Sequence, residues 1–89
     1  MNFNMFGIPL VGPNICGFIS TDSTDEESEL CGRWIQLSTF YPFARINGDN
    51  FMNGKLSEPY NLNGTYMAMA KSSIIERFKY MAFMYTCLF

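Results

Sequence analysis

Glu29-Leu30-Cys31-Gly32-Arg33-Trp34-Ile35-Gln36-Leu37 is joined through Ser38-Thr39 to Phe40-Tyr41-Pro42-Phe43-Ala44-Arg45, and the change of pattern between the two halves decides the fold. In the first half Leu30, Trp34, Leu37 and Ser38, with Cys31 and Ile35 alongside, recur at intervals of three and four residues. Glu29 and Arg33 stand i,i+4 on another face. This spacing predicts an amphipathic helix of about four turns. Upstream the chain turns polar over residues 19–25, and Thr24 precedes Glu27 in the spacing of a capping box, so the helix is expected to begin there. In the second half the aromatic run 40–45 leads into a polar, Gly- and Asn-rich stretch, 46–63, and reads as a strand with its exit loop.

Working outward, Phe6-Gly-Ile-Pro-Leu-Val-Gly12 is a short apolar run bounded by glycines, which suits a strand buried on both faces of a parallel sheet, although Pro9 interrupts it. Residues 13–18 then leave the C-terminal end of that strand, where the functional loops of α/β barrels lie. Beyond the second exit loop, Met67, Ala70, Ile74, Phe78, Met81, Tyr85 and Leu88 repeat every three or four residues. They predict a long C-terminal helix whose apolar stripe faces a core. The order β-α-β-α gives the α/β class with residues 8–12 and 40–45 as neighbouring parallel strands.

Composition narrows the function. Of 89 residues 48% are hydrophobic and 17% aromatic, which reads like the interior of something larger than so short a chain can enclose. The net charge is −2 and the six Lys and Arg are scattered, so there is no electrostatic footprint for nucleic acid or an anionic membrane. With no His and three Cys, the chain cannot build a His/Cys zinc site or a Ser-His or Cys-His nucleophile pair; no metal and no cofactor are expected. The uncharged run 80–89 is too short to span a bilayer, which takes about twenty residues. The opening Met1 to Gly7 lacks the basic and apolar regions of a signal peptide.

Three blocks, in order, resemble the family-31 glycoside hydrolases, the α-glucosidase family. Phe3-Asn-Met-Phe-Gly-Ile-Pro-Leu-Val-Gly-Pro-Asn-Ile-Cys-Gly-Phe18 is similar to the family's seventh barrel strand and loop. Glu29 to Leu37 with Phe40 to Arg45 is similar to the following helix and eighth strand. Glu58-Pro-Tyr60, Arg77-Phe-Lys-Tyr80 and Tyr85-Thr86 are similar to the eighth exit loop and helix. The resemblance implies a partial (β/α)8 TIM barrel: residues 1–89 as the C-terminal quarter of the catalytic barrel, its last two β/α units with a long C-terminal helix.

The implied chemistry is retaining hydrolysis of α-glucosidic bonds, in which one carboxylate attacks the anomeric carbon and another protonates the leaving oxygen. In the family both are aspartates on earlier strands, so this chain is expected to hold no catalytic residue and to be inactive alone. The implied substrate-binding positions are Asn14, Phe18, Arg45 and Asn47. Asn14 stands where the family has an aspartate, and Asn47 where it has a histidine, preceded by Ile46 in place of Asn. The exchange of Asp for Asn turns an acceptor oxygen into a donor. Cys16 and Cys31 match two family cysteines that form a disulfide, which would add about 3 kcal/mol in the chain-entropy view and places the parent enzyme in the secretory pathway, lysosomal or extracellular. Cys87 is left over, expected to be buried on the last helix, and Asn63-Gly-Thr65 is a glycosylation sequon. The implied partners are an α-glucoside or oligosaccharide substrate and the remainder of the barrel. The other reading is a degenerate, non-catalytic module that binds carbohydrate or protein.

Overall fold

The computed structural model describes residues 2–17, 25–47 and 58–89. In chain order it contains α1 (Asn2–Met5), β1 (Asn14–Ile15), α2 (Asp25–Ser38), β2 (Arg45–Ile46), a 3-10 turn (Pro59–Asn61) and α3 (Gly64–Leu88). β1 and β2 pair in parallel, Asn14 opposite Arg45 and Ile15 opposite Ile46. The predicted β-α-β-α order is present. The two strands are two residues each and form a small two-stranded sheet rather than a closed barrel among the described residues.

Both strands lie later than the sequence pattern placed them. Residues 8–12 are not a strand, because their polar backbone groups are used locally. Ile8 N–H donates to Phe3 C=O at 3.1 Å and Val11 N–H to Pro9 C=O at 3.2 Å. The Asn4 side-chain amide donates to the carbonyls of Ile8 and Pro9 at 3.3 and 2.9 Å. Pro9 itself has no N–H to give a ladder. Residues 40–44 likewise are not strand, since 39–41 are bonded into the last turn of α2. The two runs are still neighbours: a Cβ on Gly12 would collide with the Phe43 backbone, so only glycine lets the chains approach this closely.

The core lies between the sheet and the helices. Ile15, Cys31, Ile35 and Ala70 are buried, with Trp34, Ala44, Ile46 and Leu62 packed against them. On α2 the buried stripe is Cys31, Ile35 and Ser38, whereas Leu30 and Leu37, expected to share it, are exposed. The stripe is set by α2's partners. The disulfide holds Cys31 toward β1, and Gly32 lies against Tyr66, where an added Cβ would come within 3.2 Å of the ring. These anchors turn Leu30 and Leu37 outward.

On α3 the face toward α2 carries Tyr66, Ala70, Ser73 and Arg77, of which Ala70 is fully buried. The predicted stripe therefore meets the core only at Ala70, and Met67, Ile74, Phe78, Met81, Tyr85 and Leu88 are exposed. The periodicity is real. Its partner surface is not supplied by the described residues. Cys87 is exposed, not buried as expected. Among the described residues no helix is long and apolar enough to cross a membrane.

Candidate functional site

Alternation along a strand sends successive side chains to opposite faces. Ile15, 2% exposed, and its partner Ile46 point into the helical layer, so Asn14 and Arg45, facing each other across the ladder, lie on the opposite face. Asn47 follows directly after the end of β2. Asn14 and Asn47 are half-buried and Arg45 is exposed. Two of the four predicted site residues, Asn14 and Arg45, thus share one sheet face turned away from both helices, and Asn47 is next to them in the chain. Phe18 lies outside the described residues, as does Thr24, the first residue of the expected capping box.

The segment after β1 is held by a turn and a cross-link. Gly17 N–H donates to the Asn14 carbonyl at 3.2 Å, with Cys16 and Gly17 both at left-handed φ, 68° and 79°. Glycine adopts that region freely and cysteine does not. Cys16 is bonded to Cys31 of α2, with Cα atoms 4.6 Å apart, which ties the C-terminal end of β1 to the helix.

The segment before β2 is held by α3. The last carbonyls of a helix have no partner within it. In α2, Ile35 C=O accepts from Ser38 Oγ at 2.7 Å, and Gln36 and Leu37 C=O accept from the N–H groups of Thr39 and Phe40 at 3.2 Å. Ser38 C=O accepts from Tyr41 N–H at 3.1 Å and from Arg77 Nη1 at 2.7 Å. Arg77 Nη1 also reaches Thr39 C=O at 3.3 Å and Tyr41 C=O at 2.7 Å. Thr39 Oγ1 donates to Ser73 C=O at 3.3 Å, and the rings of Phe40 and Tyr80 meet at 5.7 Å. Arg77 was legible only as part of a family block. Nothing in its spacing announces that it reaches carbonyls 36 to 39 residues away.

Chemically, the sheet face offers the carboxamide of Asn14, which both donates and accepts, and the guanidinium of Arg45, which only donates, with the carboxamide of Asn47 following the strand. Neither strand carries a carboxylate. Glu29 is paired with Arg33 at 2.6 Å on α2, and Glu76 with Lys79 at 2.6 Å on α3. The hydrogen bond from Lys79 to Glu76, and then the Glu76 charge, raise the lysine pKa above its ordinary value. Glu58 directly follows the stretch 48–57, and its Oε2 is buried with no hydrogen-bond partner among the described residues. No group of three or more His, Cys, Asp or Glu capable of holding a metal occurs among the described residues.

Comparison with known proteins is specific. The family model described as the glycosyl hydrolases family 31 TIM-barrel domain matches residues 1–87. The lysosomal alpha-glucosidase of Mus musculus is 40% identical over 86 residues, covering 97% of this chain and 8% of the mouse protein. The intestinal sucrase-isomaltase of Oryctolagus cuniculus is 38% identical over 88 residues, covering 99% of this chain and 4% of the rabbit protein. A probable maltase-glucoamylase 2 of Homo sapiens is 35% identical over 88 residues, 99% of this chain and 3% of that protein. The chain therefore spans less than a tenth of the length of these relatives. No solved structure matches it significantly. With the family's barrel domain matched from residue 1 to residue 87, the chain belongs to glycosyl hydrolase family 31.

Proposed function

We propose that this chain forms the last two β/α units of a (β/α)8 barrel, residues 1–89 making up its C-terminal quarter. In that role it would supply part of the wall of a sugar pocket in an α-glucosidase-like enzyme of the secretory pathway. The observation that carries the reading is the parallel pair Asn14–Ile15 and Arg45–Ile46, with α2 and α3 on one face and Asn14 and Arg45 on the other. A barrel needs this division: helices outside, strand side chains at the C-terminal ends facing the ligand. The family relatives, named as α-glucosidases and as sucrase-isomaltase, support the substrate class, and the lysosomal ones support the compartment.

On this reading Asn14, Arg45 and Asn47 belong to the pocket of the terminal sugar, Phe18 lies near the neighbouring subsite, and both reacting carboxylates come from polypeptide outside the chain. Asn14 in place of an aspartate exchanges a charge-assisted hydrogen bond for a neutral one, a loss of roughly 1 kcal/mol or more in sugar affinity. The test has two arms. The purified chain should release no glucose from maltose or from a chromogenic α-glucoside, and turnover above a boiled control would overturn the claim that it lacks the reacting groups. Residues 1–87 exchanged for the matching segment of the mouse lysosomal enzyme should give a folded chimera whose activity rises when Asn14→Asp is introduced. A chimera indifferent to residue 14 would remove Asn14 from the pocket. Saturable binding of maltose by the 89-residue chain alone would favour the non-catalytic binding module instead.

A further inference from the structure

We infer that Arg77 is a positioning residue for the candidate site: from α3 it fixes the segment that delivers β2, and with it Arg45 and Asn47. That these two contact sugar rests on the reading above; that Arg77 sets their position does not.

The two protons on Arg77 Nη1 serve Ser38 and Tyr41 C=O, both at 2.7 Å, and Thr39 C=O shares one of them at 3.3 Å. A single cation thus gathers three carbonyls at the exit of α2, where the helix dipole concentrates negative charge. Thr39 to Ser73 and Phe40 to Tyr80 fasten the same residues to the same helix, one on each side of Arg77 along α3. From Tyr41 only residues 42–44 remain before β2. Pro42 fixes its own φ and restricts Tyr41, so little freedom is left in the link. Phe43 then meets Gly12 in the β1–β2 register, and Arg45 pairs with Asn14. The chain of constraints runs from Arg77 through Tyr41 and Pro42 to Arg45. A mere surface cap on α2 would stop at Ser38.

Amide hydrogen exchange on the intact, disulfide-bonded chain separates the two roles. Arg77→Met keeps the aliphatic stem and removes all three bonds. Exchange at residues 44–47 should rise by roughly tenfold or more, while residues 30–35 of α2 and 66–73 of α3 change by less than about threefold. Arg77→Lys keeps a charge but not the planar fork, and should restore only part of the protection. Thr39→Val, which leaves Arg77 in place, should give a smaller rise confined to the same residues, and it serves where Arg77→Met does not fold. The inference is overturned if 44–47 exchange as in the parent chain, or if protection falls equally across α2 and α3. No sugar enters the measurement, so its outcome is independent of whether the sheet face binds one.

Discussion

Ile35, at 1% exposure, is the largest fully enclosed side chain among the described residues and stands between β1, the disulfide and Ala70. Truncation to alanine leaves a cavity that so small a core cannot refill. Ile35→Ala should cost about 2 to 4 kcal/mol, a large part of the stability of a chain this size. Urea unfolding followed by circular dichroism should show a much lower midpoint, and an unchanged midpoint would mean that Ile35 is not where the core closes. The exposed ion pairs are the opposite case. Lys79 is held protonated by Glu76 to above its ordinary pKa, so whatever the pair contributes is complete below that ordinary value and is lost only as pH rises through the raised one. Because both side chains are largely exposed, that full contribution is itself small, and Lys79→Met should shift the unfolding midpoint at neutral pH only slightly. Asn14→Asp differs again, because the new carboxylate would face Arg45 across a parallel pair of strands about 5 Å apart. Its pKa should fall below the ordinary carboxylate value, with the added stability present above that value and lost as pH falls through the depressed one. An NMR titration of residue 14 reads the shift directly.

Between elements, the closest helix contact is Gly32 of α2 against Tyr66 of α3. Alanine there would gain about 1 kcal/mol in helix propensity but press on the Tyr66 ring at 3.2 to 3.3 Å, so Gly32→Ala should be close to neutral. Gly32→Leu has no such room and should destabilise by about 1 to 3 kcal/mol, seen as a lower thermal midpoint with helix content retained. The disulfide closes 15 residues between β1 and α2, and removing it through Cys16→Ser with Cys31→Ser should cost about 3 kcal/mol in the same measurement. These contacts mark what the sequence could and could not reveal. Helix, strand order and parallel pairing were legible because periodicity and turn residues are local signals. The strand positions were not, because Asn4 and Pro9 divert the backbone of 8–11 into a local turn that apolar content conceals. On α2 the apolar pattern named Leu30 and Leu37 with Cys31 and Ile35, and only tertiary anchors at Cys31 and Gly32 decided which of them face inward. The sheet face of Asn14 and Arg45 was legible through family resemblance alone; no pattern in the chain marks it. Arg77 was hidden because a cap on another helix is a property of docking, not of spacing.

At the scale of the whole molecule the dominant fact is the mismatch between apolar content and enclosure. Among the described residues four hydrophobic ones are buried, while Phe3, Met5, Phe6, Leu10, Ile75, Phe78, Phe83 and Tyr85 are among the many large apolar side chains left exposed. The structure extends 40 Å along its longest axis with a radius of gyration of 14.0 Å, against about 12 Å for a compact chain of this length. Among the described residues the parallel pair of strands has no third partner, which leaves both sheet edges open there. Inside a barrel, neighbouring strands and helices would cover these surfaces; alone, the chain should satisfy them by self-association. Size-exclusion chromatography with light scattering should find species larger than one chain that grow with concentration, and a hydrophobic dye should bind strongly. Replacing Ile75, Phe78 and Phe83 with lysine should reduce both signals without loss of helix, since none of the three is in the core. A parent chain that stays monomeric at high concentration and leaves the dye unbound would show that it closes its own surface, and the case for a missing barrel around α3 would lose its physical basis.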